Sequence, residues 1–117
     1  MDKRLIGLLG EKLVCKWYTD HKYKLLSVNY KTRFGEIDII AANRNTIVFV
    51  EVKTRKDNKF SYAKEAVNYS KQQKIKAAAN QYIALNNLEE KFVRFDVAEV
   101  YHQDSKPDIN IIENAFE

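Results

Sequence analysis

Apolar residues in the first twenty positions recur near helical spacing: Leu5, Leu8, Leu9, Leu13, Val14 and Trp17 define a helix from about Asp2 to Asp20. Gly7 and Gly10 lie within it, where a missing Cβ lets another backbone come close. The period then changes. Lys24 to Tyr30 reads as a first strand. From Ile37 to Val52 the chain alternates and runs apolar through Ile37, Ile39, Ile40, Ile47, Val48, Phe49, Val50 and Val52, broken only by the polar turn Ala42-Asn43-Arg44-Asn45. This is the pattern of a β-hairpin in a sheet core. Ser70 with Gln73 three residues on has the form of a capping box, and Ile75, Ala78, Ala79, Tyr82 and Ile83 follow at helical intervals. A second helix is therefore expected from about Lys71 to Leu85, closed by Asn86-Asn87. Phe92 to Tyr101 alternates as a fourth strand, and Ile109 to Ile112 gives a last one. The order αβββαββ places the chain in the α/β class.

Three glycines and one proline, Pro107, leave no linker, repeat or low-complexity stretch, so residues 1–117 read as a single domain. With 45% hydrophobic and 12% aromatic residues in 117 positions, a core can form without disulfides or a structural metal. The single Cys15 has no internal partner and sits among Leu13, Val14 and Trp17, as a small buried hydrophobe does. The apolar run after Met1-Asp2-Lys3-Arg4 is too short for a signal peptide, and no stretch is long enough to span a membrane. A cytoplasmic setting with no membrane partner is the expectation.

Charge is unevenly spread. Lys53 to Lys76 holds eight Lys or Arg against Asp57 and Glu65, a net of +6, whereas Asn87 to Glu117 holds three against eight, a net of −5. A basic middle fits a polyanionic partner such as nucleic acid, although an ordinary solvated helix face would look the same.

The chemistry lies where charge interrupts the hairpin. Gly35-Glu36-Ile37-Asp38 and Val50-Glu51-Val52-Lys53 place acids and a lysine in strand-like sequence. Alternation puts Glu51 and Lys53 on one face of their strand, and Glu36 and Asp38 on one face of theirs. Carboxylates at the margin of a core need a cation, a partner or a task. A metal-dependent phosphodiesterase needs anionic oxygens for Mg²⁺ or Mn²⁺ and a cation near the attacking water or scissile phosphate. Asp38 and Glu51 are the candidate ligands, with the Val52 carbonyl as a possible addition, and Lys53 is the candidate cation. Glu36 reads either as a further ligand or as a partner for Lys53 or Arg55. Thr54 and Arg55 continue the strand toward a phosphate. Lys71, Gln72, Gln73 and Lys74 open the second helix, where free N–H groups favour anions, although capping alone accounts for Gln73. His21 and His102 lack zinc-ligand spacing. Tyr18, Tyr62, Tyr69 and Tyr82 read as core or boundary residues, with stacking on unpaired bases as the alternative.

These residues also carry a family resemblance along almost the whole chain. Gly7-Leu-Leu-Gly-Glu11, Gly35-Glu-Ile-Asp-Ile-Ile-Ala41, Val48-Phe-Val-Glu-Val-Lys-Thr-Arg55, Lys71-Gln-Gln-Lys-Ile-Lys-Ala-Ala78, Arg94-Phe-Asp-Val97 and Asn114-Ala-Phe116 resemble the YraN family of small bacterial proteins, within the restriction-endonuclease-like PD-(D/E)xK nuclease superfamily. The resemblance implies a restriction-endonuclease-like mixed central sheet flanked by helices, with an active site where the hairpin strands splay. It implies that Asp38, Glu51 and Lys53 form the catalytic triplet, and that Glu11 joins Asp38 and Glu51 at the metal as the helical glutamate of the Holliday-junction-resolvase-like branch. Ile37 stands where the full signature has proline.

The expectation is a Mg²⁺- or Mn²⁺-dependent endonuclease acting on DNA, with branched or junction DNA and a role in repair or recombination implied by the resemblance alone. Nucleic-acid contacts are assigned to Arg55, Lys71, Gln72 and Lys74. A homodimer would suit a two-fold junction. The competing reading is a catalytically inactive nucleic-acid-binding module on a nuclease scaffold. A third is an interaction protein whose acidic C-terminal third docks a basic partner.

Overall fold

A computed structural model describes residues 3–55, 67–102 and 107–117. Its elements are α1 (Lys3–Asp20), β1 (Lys24–Lys31), β2 (Glu36–Ala42), β3 (Thr46–Arg55), α2 (Tyr69–Leu85), β4 (Phe92–Tyr101) and β5 (Asp108–Phe116). They form one five-stranded sheet in the order β1-β2-β3-β4-β5, antiparallel throughout except for the parallel β3/β4 pair. The expected αβββαββ order and flanked mixed sheet are what the chain forms.

Each helix covers one face. Val14 and Tyr18 of α1 pack with Ile39, Ala41, Val48, Val50, Ala98 and Val100. Ile75, Ala78 and Ala79 of α2 pack with Ile37, Ile40, Ile47, Phe49, Val97 and Phe116 on the other. Alternation along β3 divides its side chains between the layers, which is why its apolar run is nearly continuous. At Gly10 the close neighbour is a side chain and not the expected backbone: a Cβ there would stand 2.9 Å from Cγ1 of Val100. Gly7 lacks a close approach: open space surrounds it.

The β2–β3 turn is built by Asn43, whose Oδ1 accepts from the Asn45 and Thr46 amides at 3.0 and 2.8 Å. At the far end of α2, Asn87 takes φ 54° and the Leu88 amide donates to the Ile83 carbonyl at 3.0 Å, the expected stop at Asn86-Asn87. The start of α2 differs from the expected capping box. Asn68 is the N-cap, its side chain accepting from the Lys71 amide at 2.9 Å, so the helix begins two residues before Lys71 and neither Ser70 nor Gln73 caps it. β5 is also longer than Ile109–Ile112. Its register shifts opposite Phe95–Val97, and Asn114 adopts φ 54°, a bulge that breaks the alternation by which its end could have been read.

Beneath that bulge lies a buried polar knot. The fully buried Asp96 accepts from the Tyr18 hydroxyl at 2.7 Å, from Arg94 at 2.9 and 3.0 Å, and from the Asn114 amide at 3.0 Å. Its hydrogen bonds offset the cost of burying the charge. The Tyr18 hydroxyl is correspondingly held well above the usual phenol range, by burial first and Asp96 second.

Candidate acidic site between the splayed strands

The pairing of β2 with β3 runs from Ala42↔Ile47 to Ile39↔Val50 and stops there, while β3 continues beside β4 to Arg55↔Tyr101. Where the ladder ends, a side chain takes its place: Oδ2 of Asp38 accepts the Val52 amide at 2.8 Å. On the other flank, the β1/β2 pairing skips Asn29 opposite Asp38, and Asn29 has φ 56°. Ile37 and Ile39 then pack into opposite layers. Strict alternation thus breaks at Asp38. Asn is among the few residues that hold a left-handed conformation at modest cost, so Asn29 suits the position facing this break.

The gap is a cavity of about 430 Å³ lined by Gly35, Glu36, Asp38 and Glu51 from the strands and by Asn68, Ser70, Lys71, Lys74 and Ile75 from the start of α2. The predicted convergence of Asp38 and Glu51 is therefore present, with the exposed Glu36 at the same cavity. Burial, and then the charge of Glu51, push the Asp38 carboxyl up to about 7; the Val52 amide opposes them, and Glu11 and Glu36 add to the rise. Glu51 is 5% exposed, and the Lys71 ammonium stands 2.8 Å from its Oε1. That bond is the main cause raising the Lys71 pKa. Lys71 thus serves as a counterion inside the acidic cavity, in place of the nucleic-acid contact expected of it.

Lys53 lies two residues beyond Glu51, partly buried and beside Glu99 in the parallel register. Glu99 is engaged elsewhere, accepting from Arg55 Nε at 3.0 Å and Asn110 Nδ2 at 3.2 Å. Lys53 therefore makes no ion pair among the described residues. Arg55, expected at a phosphate, has its Nε committed to this buried acid. Gln72, also expected at nucleic acid, instead donates its side-chain amide to the Val67 carbonyl at 2.8 Å and ties down the segment entering α2. Lys74 remains exposed at the cavity rim. Tyr18 and Tyr82 are packed in the two cores as expected, Tyr69 is 76% exposed, and Tyr62 lies outside the described residues. Cys15, expected as a small buried hydrophobe, is partly buried against the α1 layer, and its pKa is raised by burial and then by Glu11.

Glu11 stands within electrostatic reach of both Asp38 and Cys15. Among the described residues no group of three or more His, Cys, Asp or Glu is placed to hold a metal ion. Mg²⁺, however, is commonly held by one or two carboxylates, with waters and substrate phosphate completing its shell. The pair Asp38 and Glu51 fits that mode. The Asp38 carboxyl is raised first by burial and then by the charge of Glu51, and a cation between the two would offset both. No helix among the described residues is long and apolar enough to cross a membrane.

A family model described as "Uncharacterised protein family UPF0102" matches residues 10–100. Among curated relatives, a UPF0102 protein of Alkaliphilus oremlandii is 48% identical over 99% of this chain and 100% of its own length. UPF0102 protein TTE1452 of Caldanaerobacter subterraneus subsp. tengcongensis is 44% identical over 99% of this chain and 98% of its own. UPF0102 protein THEYE_A1950 of Thermodesulfovibrio yellowstonii is 47% identical over 95% of each chain.

Proposed function

The chain belongs to the uncharacterised protein family UPF0102, the YraN family of its sequence resemblance, and from its acidic cavity we propose that it is a metal-dependent endonuclease hydrolysing DNA phosphodiester bonds. Placement in the PD-(D/E)xK superfamily, and branched or junction DNA as substrate, are part of this proposal and rest on the resemblance. The observation that carries the reading is the meeting of Asp38 and Glu51 where β2 and β3 part, with Lys53 next along the same strand face.

Each residue has a task in this reading. A divalent cation held by Asp38 and Glu51 would supply Lewis-acid activation of water and phosphate. The Val52 amide fixes one Asp38 oxygen, and the residue lines the cavity. The Lys53 ammonium makes no ion pair among the described residues and would offset charge growing on the phosphate. The exposed Lys74 attracts the polyanion to the rim, whereas Lys71 is paired with Glu51. Glu11 adds negative charge behind Asp38, strengthening the hold on a cation.

The test is cleavage of labelled duplex, single-stranded, flap and four-way-junction DNA at low salt with Mg²⁺ or Mn²⁺. Cutting is expected, with Asp38→Asn and Lys53→Ala each lowering the rate by about a hundredfold or more, the range seen for lost electrostatic stabilisers. Cutting that survives both substitutions removes the assignment. One observation favours a second reading, a non-catalytic nucleic-acid-binding module: Lys71 already neutralises Glu51. Binding of DNA by a wild-type protein that cuts none of the four substrates would establish that alternative.

A further inference from the structure

Beside the acidic cavity runs a second groove of about 420 Å³, lined by Phe34, Tyr69, Ser70, Gln73, Lys74 and Ala77. The two share Ser70 and Lys74 as a common wall. Two of its walls are accessible rings, Tyr69 76% and Phe34 39% exposed. Phe34 is held in place by a tight turn. The Thr32 hydroxyl accepts from the Phe34 and Gly35 amides at 3.0 and 3.2 Å, and the Thr32 amide donates to the Gly35 carbonyl at 2.9 Å. The Arg33 guanidinium stands over the Phe34 ring, 4.8 Å from its centroid. Gly35 lets this turn approach α2, because a Cβ there would stand 3.1 Å from the Cβ of Lys74. The chain has thus brought two accessible rings to one groove, with Arg33 and Lys74 beside them and the acidic cavity adjoining.

We propose that this groove binds an unpaired nucleobase of a DNA strand whose phosphates follow Lys74 into the acidic cavity. The proposal deepens the reading above by naming its substrate class, DNA with a single-stranded segment beside the scissile bond. Aromatic rings next to cations are the elements of a single-strand platform: every base offers a π-face, and the phosphates need positive charge. The bases of an intact duplex are stacked inside the helix and do not reach such rings.

The experiment is fluorescence anisotropy with metal chelated, comparing a labelled single strand, the same sequence as a duplex, the duplex bearing a single-stranded flap, and an RNA single strand. Tyr69→Ala and Phe34→Leu are expected to weaken single-strand and flap binding roughly tenfold each, the scale of one lost base stack, while duplex binding and the salt slope stay unchanged. Tyr69→Trp restores single-strand binding. Lys74→Met weakens all the DNA ligands and flattens the salt dependence, because it removes a phosphate contact. Equal losses on duplex and single strand, no loss on either, no single-strand binding by the wild type, or tighter binding of RNA than DNA would each overturn the proposal. Because binding is read without metal, a protein that binds this way but never cuts removes the nuclease reading and leaves the platform standing.

Discussion

Asp38 carries the most consequential electrostatics of any residue here. Its carboxyl is raised from 3.8 to about 7 in the folded chain, so between those values the native state holds a proton that the unfolded state has lost. Stability of the metal-free protein is therefore expected to be highest below pH 4, to fall as pH rises toward 7, and to stay low above it, as far as this residue sets it. Thermal melts should show Asp38→Asn stabilising the metal-free protein at pH 8 and having little effect at pH 4; no difference between the two would remove the raised Asp38 carboxyl from the account. Adding Mn²⁺ at pH 8 should stabilise the wild type and leave Asp38→Asn nearly unmoved. The meeting of Asp38 and Glu51 was legible because a hairpin turn brings its two strands side by side, whereas the break in alternation at Asp38 was not, since it depends on how Ile37 and Ile39 pack into opposite layers. The pairings of Lys71 with Glu51 and Arg55 with Glu99 were not legible either. Each joins elements distant in sequence, and local periodicity carries no signal of such contacts.

Elements were legible where their ends carry local chemistry and illegible where tertiary structure overrides it. The turn at Asn43 and the stop at Asn87 are written in residues that favour those conformations. The start of α2 was misread because Asn68, a strong cap, lies just outside the run of helical periodicity. Asn68→Ala should cost about 1 kcal/mol of stability in denaturant melts. Asn29 invites a sharper comparison. A left-handed residue other than Gly or Asn costs roughly 1–2 kcal/mol, so Asn29→Ala should destabilise by about that much while Asn29→Gly stays near neutral. If Asn29→Ala proves silent, the irregularity opposite Asp38 is not held by this residue.

On the scale of the whole molecule, the sequence's charge asymmetry becomes something more specific. The net of −5 beyond Asn87 does not describe one acidic surface, since Asp96 and Glu99 are buried and satisfied by Arg94 and Arg55. That weakens the reading of the C-terminal third as a docking face for a basic partner. The basic stretch is only partly visible: Lys71 and Lys74 line the cavity, Lys53 is not among its lining residues, and positions 56–66 fall outside the described residues. The sheet order also bears on how the chain finds its structure. β1 to β3 form a meander, and β4 and β5 are consecutive neighbours, so both blocks assemble from contacts close in sequence. Within the sheet of the described residues, the parallel β3/β4 seam, where Thr46 meets Phe92, joins them across a long chain separation. Closing that loop costs entropy before any contact repays it. Zipping this seam should therefore limit the folding rate. In stopped-flow kinetics, Val97→Ala at the seam should slow refolding, whereas Val28→Ala in β1 should chiefly hasten unfolding.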